Sequence, residues 1–318
     1  MNSKRLAEVK AWIERKVQDR SYGCLILQCG RVVAAWYGGG FTPESLFEIG
    51  SIRKSFNSAL VGLGEERHQI RLDLKAGDVW PEIATISGDP RDRDITLHQL
   101  MSGTSGWLTL DPPGAVFRYN NAAFTAAERV VARVYRLPND EIAPEVERRF
   151  KVPLGASSWR VYHFDRAFAS DDLENPGPKL AIESTLQDLV KWAELWRNNG
   201  LWEGKQLIPE DYVRRATSWV NSALAGPPYG YNWFVNAGRH LWPEAPPDSY
   251  GHPGFGAFKP SGKESRAYLW ICPSLETVAA IVTDVTVGIA NDYLDVPNEL
   301  TAEWIGRVTV AAEEARTG

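Results

Sequence analysis

Strand-like alternation is confined to the two ends of this chain, and a long helix-rich stretch lies between them. Near the N-terminus, Tyr22 to Cys29 and Arg31 to Tyr37, joined through Gly30, read as a β-hairpin. Near the C-terminus, Arg266 to Ile271 and Thr277 to Thr283 read as further strands. Helical periodicity covers Lys4 to Gln18 before the first group and Asn298 to Arg316 after the second. The two ends are therefore expected to share one sheet covered by terminal helices, an α+β arrangement built from residues of about 1–66 and 226–318. The middle, about 67–225, is expected to be an inserted all-helical subdomain, with helices at Ala122 to Val134, Ile142 to Phe150, Leu186 to Asn198 and Glu210 to Thr217.

Where the first group of strands hands over to helix, the sequence reads Ser51-Ile52-Arg53-Lys54, after the apolar run Leu46 to Ile49 and a turn-permitting Gly50. Residues three apart share a helix face, so the Lys54 amine can reach the Ser51 hydroxyl and act as, or tune, its base. The first N–H groups of a helix have no intrahelical acceptor and can bind a developing oxyanion. A serine opening a helix is by itself an ordinary N-cap. Two further motifs follow it in order: Tyr119-Asn120-Asn121, just before the Ala122 to Val134 helix, and His252-Pro253-Gly254 in a glycine-rich strand pattern. Ser-x-x-Lys, then Tyr-x-Asn, then Lys/His-x-Gly is the order used by penicillin-recognising serine enzymes.

On these motifs the chain resembles the serine β-lactamase-like family: class C β-lactamases, D-Ala-D-Ala carboxypeptidases, related esterases and 6-aminohexanoate-dimer hydrolases. The likeness extends to Phe47-Glu48-Ile49-Gly50 before the serine, Ile70-Arg71-Leu72-Asp73 through Val79-Trp80-Pro81-Glu82, Ile95 to Gly106, and Ser184 to Leu207. It implies an antiparallel β-sheet flanked by helices, with the site between the sheet and the helical insertion. It also implies Ser51 as nucleophile, Lys54 and Tyr119 as the proton-handling pair, Asn121 as a ligand of Lys54 and of the substrate, and His252, Gly254 and Phe255 as substrate-binding residues. The oxyanion hole would combine the backbone N–H groups of Ser51 and Phe255.

Lysine and tyrosine ordinarily titrate at about 10.4 and about 10, so one must be shifted to serve as a base. A coupled Ser-Lys-Tyr unit achieves this better than either group alone. The family's β-lactamases usually carry Lys-Thr-Gly where this chain has His252-Pro253-Gly254 and bind a substrate carboxylate there. A neutral histidine and a proline lacking a hydroxyl make a weaker anion site, which turns the expectation towards small esters or amides. A D-Ala-D-Ala carboxypeptidase or weak β-lactamase is the alternative, and a non-catalytic binding or sensing module a further one. The short loop from Trp107 to Phe117 suggests an open roof.

The 318 residues, 44% of them hydrophobic, suffice for a substantial core. A formal charge of −5 without basic clusters argues against nucleic-acid or anionic-membrane partners. Met1 to Lys10 is charged and lacks the apolar core of an export signal, so a cytoplasmic location is expected. Three cysteines fit a reducing compartment, and Cys24 and Cys29 fall on opposite faces of one strand. No zinc-type or Gly-x-Ser-x-Gly pattern occurs, so neither a metal nor another cofactor is expected. The aromatic, proline-rich stretch Ala225 to Tyr250 reads as a structured loop, either a pocket wall or packing at the sheet edge.

Overall fold

The computed structural model of the protein describes residues 1–164, 178–289 and 298–317. Its strands are β1 (Tyr22–Gln28), β2 (Arg31–Gly38), β3 (Leu46–Glu48), β4 (Arg160–Phe164), β5 (Lys179–Ser184), β6 (Leu201–Trp202), β7 (Lys205–Gln206), β8 (Phe234–Val235), β9 (Tyr250–Lys259), β10 (Glu264–Cys272) and β11 (Thr277–Asp284). Nine form one sheet in the order β2-β1-β11-β10-β9-β3-β5-β4, with β8 also on β9, and β6 and β7 make a separate hairpin. Every pairing is antiparallel. β1 turns into β2 over Cys29 and Gly30, whose φ values of 51° and 71° match the two-residue turn that suits a twisted hairpin.

Successive residues on the central strands bury themselves in different cores. Cys24, Ile26, Tyr268, Trp270, Ala279 and Ile281 pack with Val9, Trp12 and Ile13 of the Ser3–Val17 helix and with Trp304, Ile305 and Val308 of the Glu299–Thr317 helix. Their neighbours Leu25, Leu27, Leu269, Ile271, Ala280 and Val282 pack on the other face with Leu189, Val190 and Ala193 of the Leu186–Arg197 helix. Both faces being covered, Leu25 to Leu27 of β1, Ala267 to Ile271 of β10 and Val278 to Val282 of β11 are continuous apolar runs and do not alternate with polar residues. Cys24 is buried within β1, whereas Cys29, expected on the same strand, lies past its end in the turn to β2 and is exposed; both are free thiols.

The helix Lys54–Glu66 lies within the second core, with every residue from Lys54 to Gly64 buried. Phe56 stacks on Trp192 at 3.8 Å and 5° between planes, and Trp192 Nε1 donates to Ser55 Oγ at 2.8 Å. Two sequence expectations are corrected here. Ser51 is on a 3-10 turn, Gly50–Arg53, and the α-helix begins at Lys54. The 67–225 stretch is not all helical either, since β4 and β5 extend the main sheet beyond β3. Trp107 and Phe117, the ends of the loop read as an open roof, are buried, while Leu110 between them is fully exposed.

Candidate active site

β3 delivers the chain to the site. Ile49 N–H donates to Ile182 O at 3.0 Å, and Gly50 then turns at φ +56° into the 3-10 segment. A Cβ on Gly50 would stand 2.2 Å from the Phe255 carbonyl oxygen, one on Gly254 2.0 Å from Ile49 O, and one on Gly256 2.2 Å from Glu48 O. Side chains at these positions would hold the two backbones apart, so their absence presses β9 against residues 48–50. Ladder pairing of β3 with β9 stops at Phe47–Phe258, and beyond it the Phe255 backbone lies directly against the Ser51 turn. As second residue of that turn, Ser51 has an N–H with no acceptor inside it.

Three residues from Ser51, the Lys54 side chain returns to it. Its Nζ lies 2.6 Å from Ser51 Oγ, 2.7 Å from Tyr119 OH and 2.9 Å from Asn121 Oδ1. Capping sets the last two partners. Asn120 is the N-cap of the Asn121–Val134 helix, its Oδ1 accepting from Ala122 and Ala123 N–H while its Nδ2 donates to Trp107 O at 2.7 Å. That cap fixes Tyr119 just before the helix and Asn121 as its first residue, both turned to Lys54. Lys54 is 0% exposed. Burial, followed by the positive charges of Arg53 and Lys179, holds its pKa well below the ordinary lysine value, against an opposing pull from Glu128.

Aromatic rings enclose Tyr119. Phe124 is centred 5.0 Å away, Phe234 is stacked at 5.9 Å, and the His252 ring lies at 6.0 Å. His252 is fully buried, with Nδ1 2.6 Å from Pro253 O and Nε2 3.5 Å from Tyr229 OH. A carbonyl oxygen only accepts, so Nδ1 carries the proton and Nε2 accepts from the tyrosine. Burial, then the nearby Lys54 charge, pushes the His252 pKa down to about 3, which leaves the ring neutral at pH 7. The structure therefore gathers Ser51, Lys54, Tyr119 and Asn121 into one hydrogen-bonded cluster. Gly254 and Phe255 meet it through backbone, and His252 through the Tyr119 ring. Phe255 is 36% exposed, with Arg266 Cζ 4.4 Å from its ring centroid.

A family model described as Beta-lactamase matches residues 9–301. The chain belongs to the beta-lactamase family. Members of this serine hydrolase superfamily act on small substrates. "Penicillin-binding protein 4" of Amycolatopsis lactamdurans is 24% identical over 313 residues, covering 85% of this chain and 80% of the relative. Two solved structures share the fold across 98% of both chains: a penicillin-binding protein homologue from Caulobacter crescentus (17% identity, TM-score 0.72) and a putative beta-lactamase from Bacteroides dorei (16%, 0.69). As a beta-lactamase-family fold, the chain has its three motifs on the Ser51 turn, at the start of the Asn121–Val134 helix and on β9. Among the described residues no group of three or more His, Cys, Asp or Glu is placed to hold a metal ion, and no helix is long and apolar enough to cross a membrane.

Sequence reasoning gave no individual role to four residues at this site. Arg53 and Glu128 form a buried ion pair behind Lys54. Asn232, at φ +63°, donates from Nδ2 to Lys54 O at 3.0 Å. Tyr229, fully buried, is the partner of His252. Glu128 left a trace: it is a carboxylate seven residues after Asn121, on the face of that helix otherwise made by Phe124, Thr125, Val131 and Ala132. The aromatic stretch before β9 divides between the two alternatives offered for it. Trp233 and Trp242 are core, whereas Tyr229 and Phe234 wall the site.

Proposed function

We propose that Ser51 attacks small, uncharged esters or amides and forms an acyl-enzyme that water then hydrolyses. The observation carrying this reading is the threefold contact of the buried Lys54 amine. A neutral amine has two N–H donors and one lone pair. Asn121 Oδ1 can only accept and takes one N–H; Tyr119 oxygen takes the other; the lone pair is left for the Ser51 hydroxyl proton. The charged form would donate to all three and leave Ser51 unactivated.

In the first step the Ser51 oxygen attacks the substrate carbonyl as its proton moves to Lys54. The oxyanion is met by the N–H groups of Ser51 and Phe255. Tyr119 then passes a proton to the leaving oxygen or nitrogen and is reprotonated by Lys54, so the bond to the leaving group breaks without a free anion. Water attacks the acyl-serine by the reverse route and restores Ser51. Asn121 Nδ2 supplies a donor for a substrate carbonyl.

His252 separates esters and amides from peptides ending in a carboxylate. Its ring nitrogens are both engaged inside the protein and its pKa of about 3 denies it a positive charge at neutral pH. The likeness to a penicillin-binding protein favours a second reading, a D-Ala-D-Ala carboxypeptidase or weak β-lactamase. Intact-mass analysis after a fluorophosphonate probe tests the shared chemistry. One adduct on the native chain and none on Ser51→Ala is expected; no native adduct would overturn both readings. Turnover of p-nitrophenyl acetate in preference to a D-Ala-D-Ala peptide is then expected, and the reverse preference would establish the second reading.

A further inference from the structure

The nucleophile turn and the helix bearing Asn121 are tied together behind the reacting atoms. Arg53, between Ser51 and Lys54 in sequence, pairs through Nη1 with Glu128 Oε1. Both side chains are only 2% exposed. The other carboxylate oxygen, Oε2, accepts the Leu180 N–H of β5 at 3.0 Å. One buried contact therefore joins the Ser51–Lys54 turn, the Asn121–Val134 helix and β5. Neither residue touches Ser51, Tyr119 or Asn121 through any hydrogen bond described above, so the proton-transfer scheme makes no use of them.

Resting on the reading of Lys54 as the base for Ser51, we propose that Arg53, clamped by Glu128, is a positioning residue for the reaction: it fixes the turn on the Asn121 helix and sets a permanent positive charge beside the Lys54 amine. Desolvated ions are costly in a core, and a pair of apolar residues would fill the same space more cheaply. The pair is explained if its asymmetry matters. Arg53 is adjacent in sequence to Lys54 and opposes its protonation more strongly than Glu128 favours it. The other groups facing the amine are the Ser51 hydroxyl, Tyr119, Asn121, neutral His252, and Lys179 on β5, whose charge acts in the same sense as that of Arg53.

The test is the pH profile of the rate at which the fluorophosphonate labels Ser51. Arg53→Met should move the midpoint of the acid limb up by about one pH unit, the effect of removing one near charge. Glu128→Gln should move it down. Arg53→Lys should hold the midpoint close to native yet lower the rate at the alkaline plateau, because the charge is kept while the guanidinium Nη1 contact that holds the turn to Glu128 is lost. Arg53→Met paired with Glu128→Leu leaves no unpartnered ion and covers the case in which Arg53→Met fails to fold; its midpoint should rise, by less than in the single variant. A purely structural pair would change amplitudes and denaturation midpoints while every acid limb stayed at the native pH. Unmoved midpoints in Glu128→Gln and in the folded Arg53 variant would overturn the proposal. Absence of native labelling would instead overturn the Ser51 reading on which it rests.

Discussion

Gly50→Ala measures how closely β9 must approach the nucleophile turn. The alanine Cβ would lie 2.2, 2.5 and 2.7 Å from the O, N and C atoms of Phe255, all backbone, where ordinary contact begins at 3.4 Å. No rotamer change relieves this, so β9 and the turn must part by about 1 Å. The backbone at φ +56° adds strain of about 1–2 kcal/mol for a residue with a Cβ, and overpacking contributes about 1–3 kcal/mol more. A displacement of that size at a reacting centre costs about 100-fold in rate, here because the Phe255 N–H leaves the oxyanion position. Gly88→Ala is the control: φ is +75°, yet no atom lies within 4 Å of the added carbon. Chemical denaturation should place Gly50→Ala about 2–5 kcal/mol below native and Gly88→Ala about 1–2 kcal/mol below. Fluorophosphonate labelling under fully folding conditions should fall about 100-fold in the first and stay native in the second. Native-rate labelling of folded Gly50→Ala would refute the assignment of the Phe255 N–H to the oxyanion hole.

Lys54→Met should reduce labelling by about 10²–10⁴-fold and yet raise stability at pH 7. The native lysine pKa lies well below 10.5, so between the two values the unfolded chain binds more protons and native stability rises with pH; denaturation midpoints of the native protein should show that slope, and those of the variant should lose it. His252, with a native pKa of about 3, should give no imidazole NMR titration between pH 5 and 8. By the same sign, stability should rise with pH between that value and about 6.5, and a histidine resonance assigned to His252 with a midpoint near 6.5 would contradict the buried, neutral ring. Phe56→Ala should destabilise by about 3–5 kcal/mol in chemical denaturation, since its fully buried ring stacks on Trp192 and meets Trp159 edge-on at 5.1 Å.

The sequence was most legible where one residue's chemistry repeats with the local period. β1, β10 and β11 announced themselves through runs of apolar and β-branched residues, and Ser51, Lys54, Tyr119 and Asn121 through short motifs whose spacing matches a turn or a capped helix start. β5, Lys-Leu-Ala-Ile-Glu-Ser, has six residues with all but the first buried, and so short a run inside a helical stretch carries no period to distinguish it. Arg53 and Glu128 are 75 residues apart, and nothing local to either encodes the pairing. The tightness of Gly50, Gly254 and Gly256 against facing backbone was likewise invisible, because a glycine in sequence shows permissiveness but not which atom occupies the space a side chain would have filled.

The buried groups around Ser51 share one electrostatic logic. Lys54 and His252 are both basic, both fully buried and both driven towards the neutral form, chiefly by loss of water. In solution at pH 7 the lysine would be charged and unable to accept the Ser51 proton. The aromatic wall of Phe124, Phe234 and Tyr229 therefore has a chemical effect besides packing, because it removes the water that would stabilise the protonated form of the base. The same dryness takes away the positive charge that a substrate carboxylate would need at His252. In the proposed mechanism an activated Ser51 and weak carboxylate recognition at His252 share one cause, the dehydration of the Tyr119 surroundings, and that link is part of the case for proposing neutral esters and amides over carboxylate-terminated peptides.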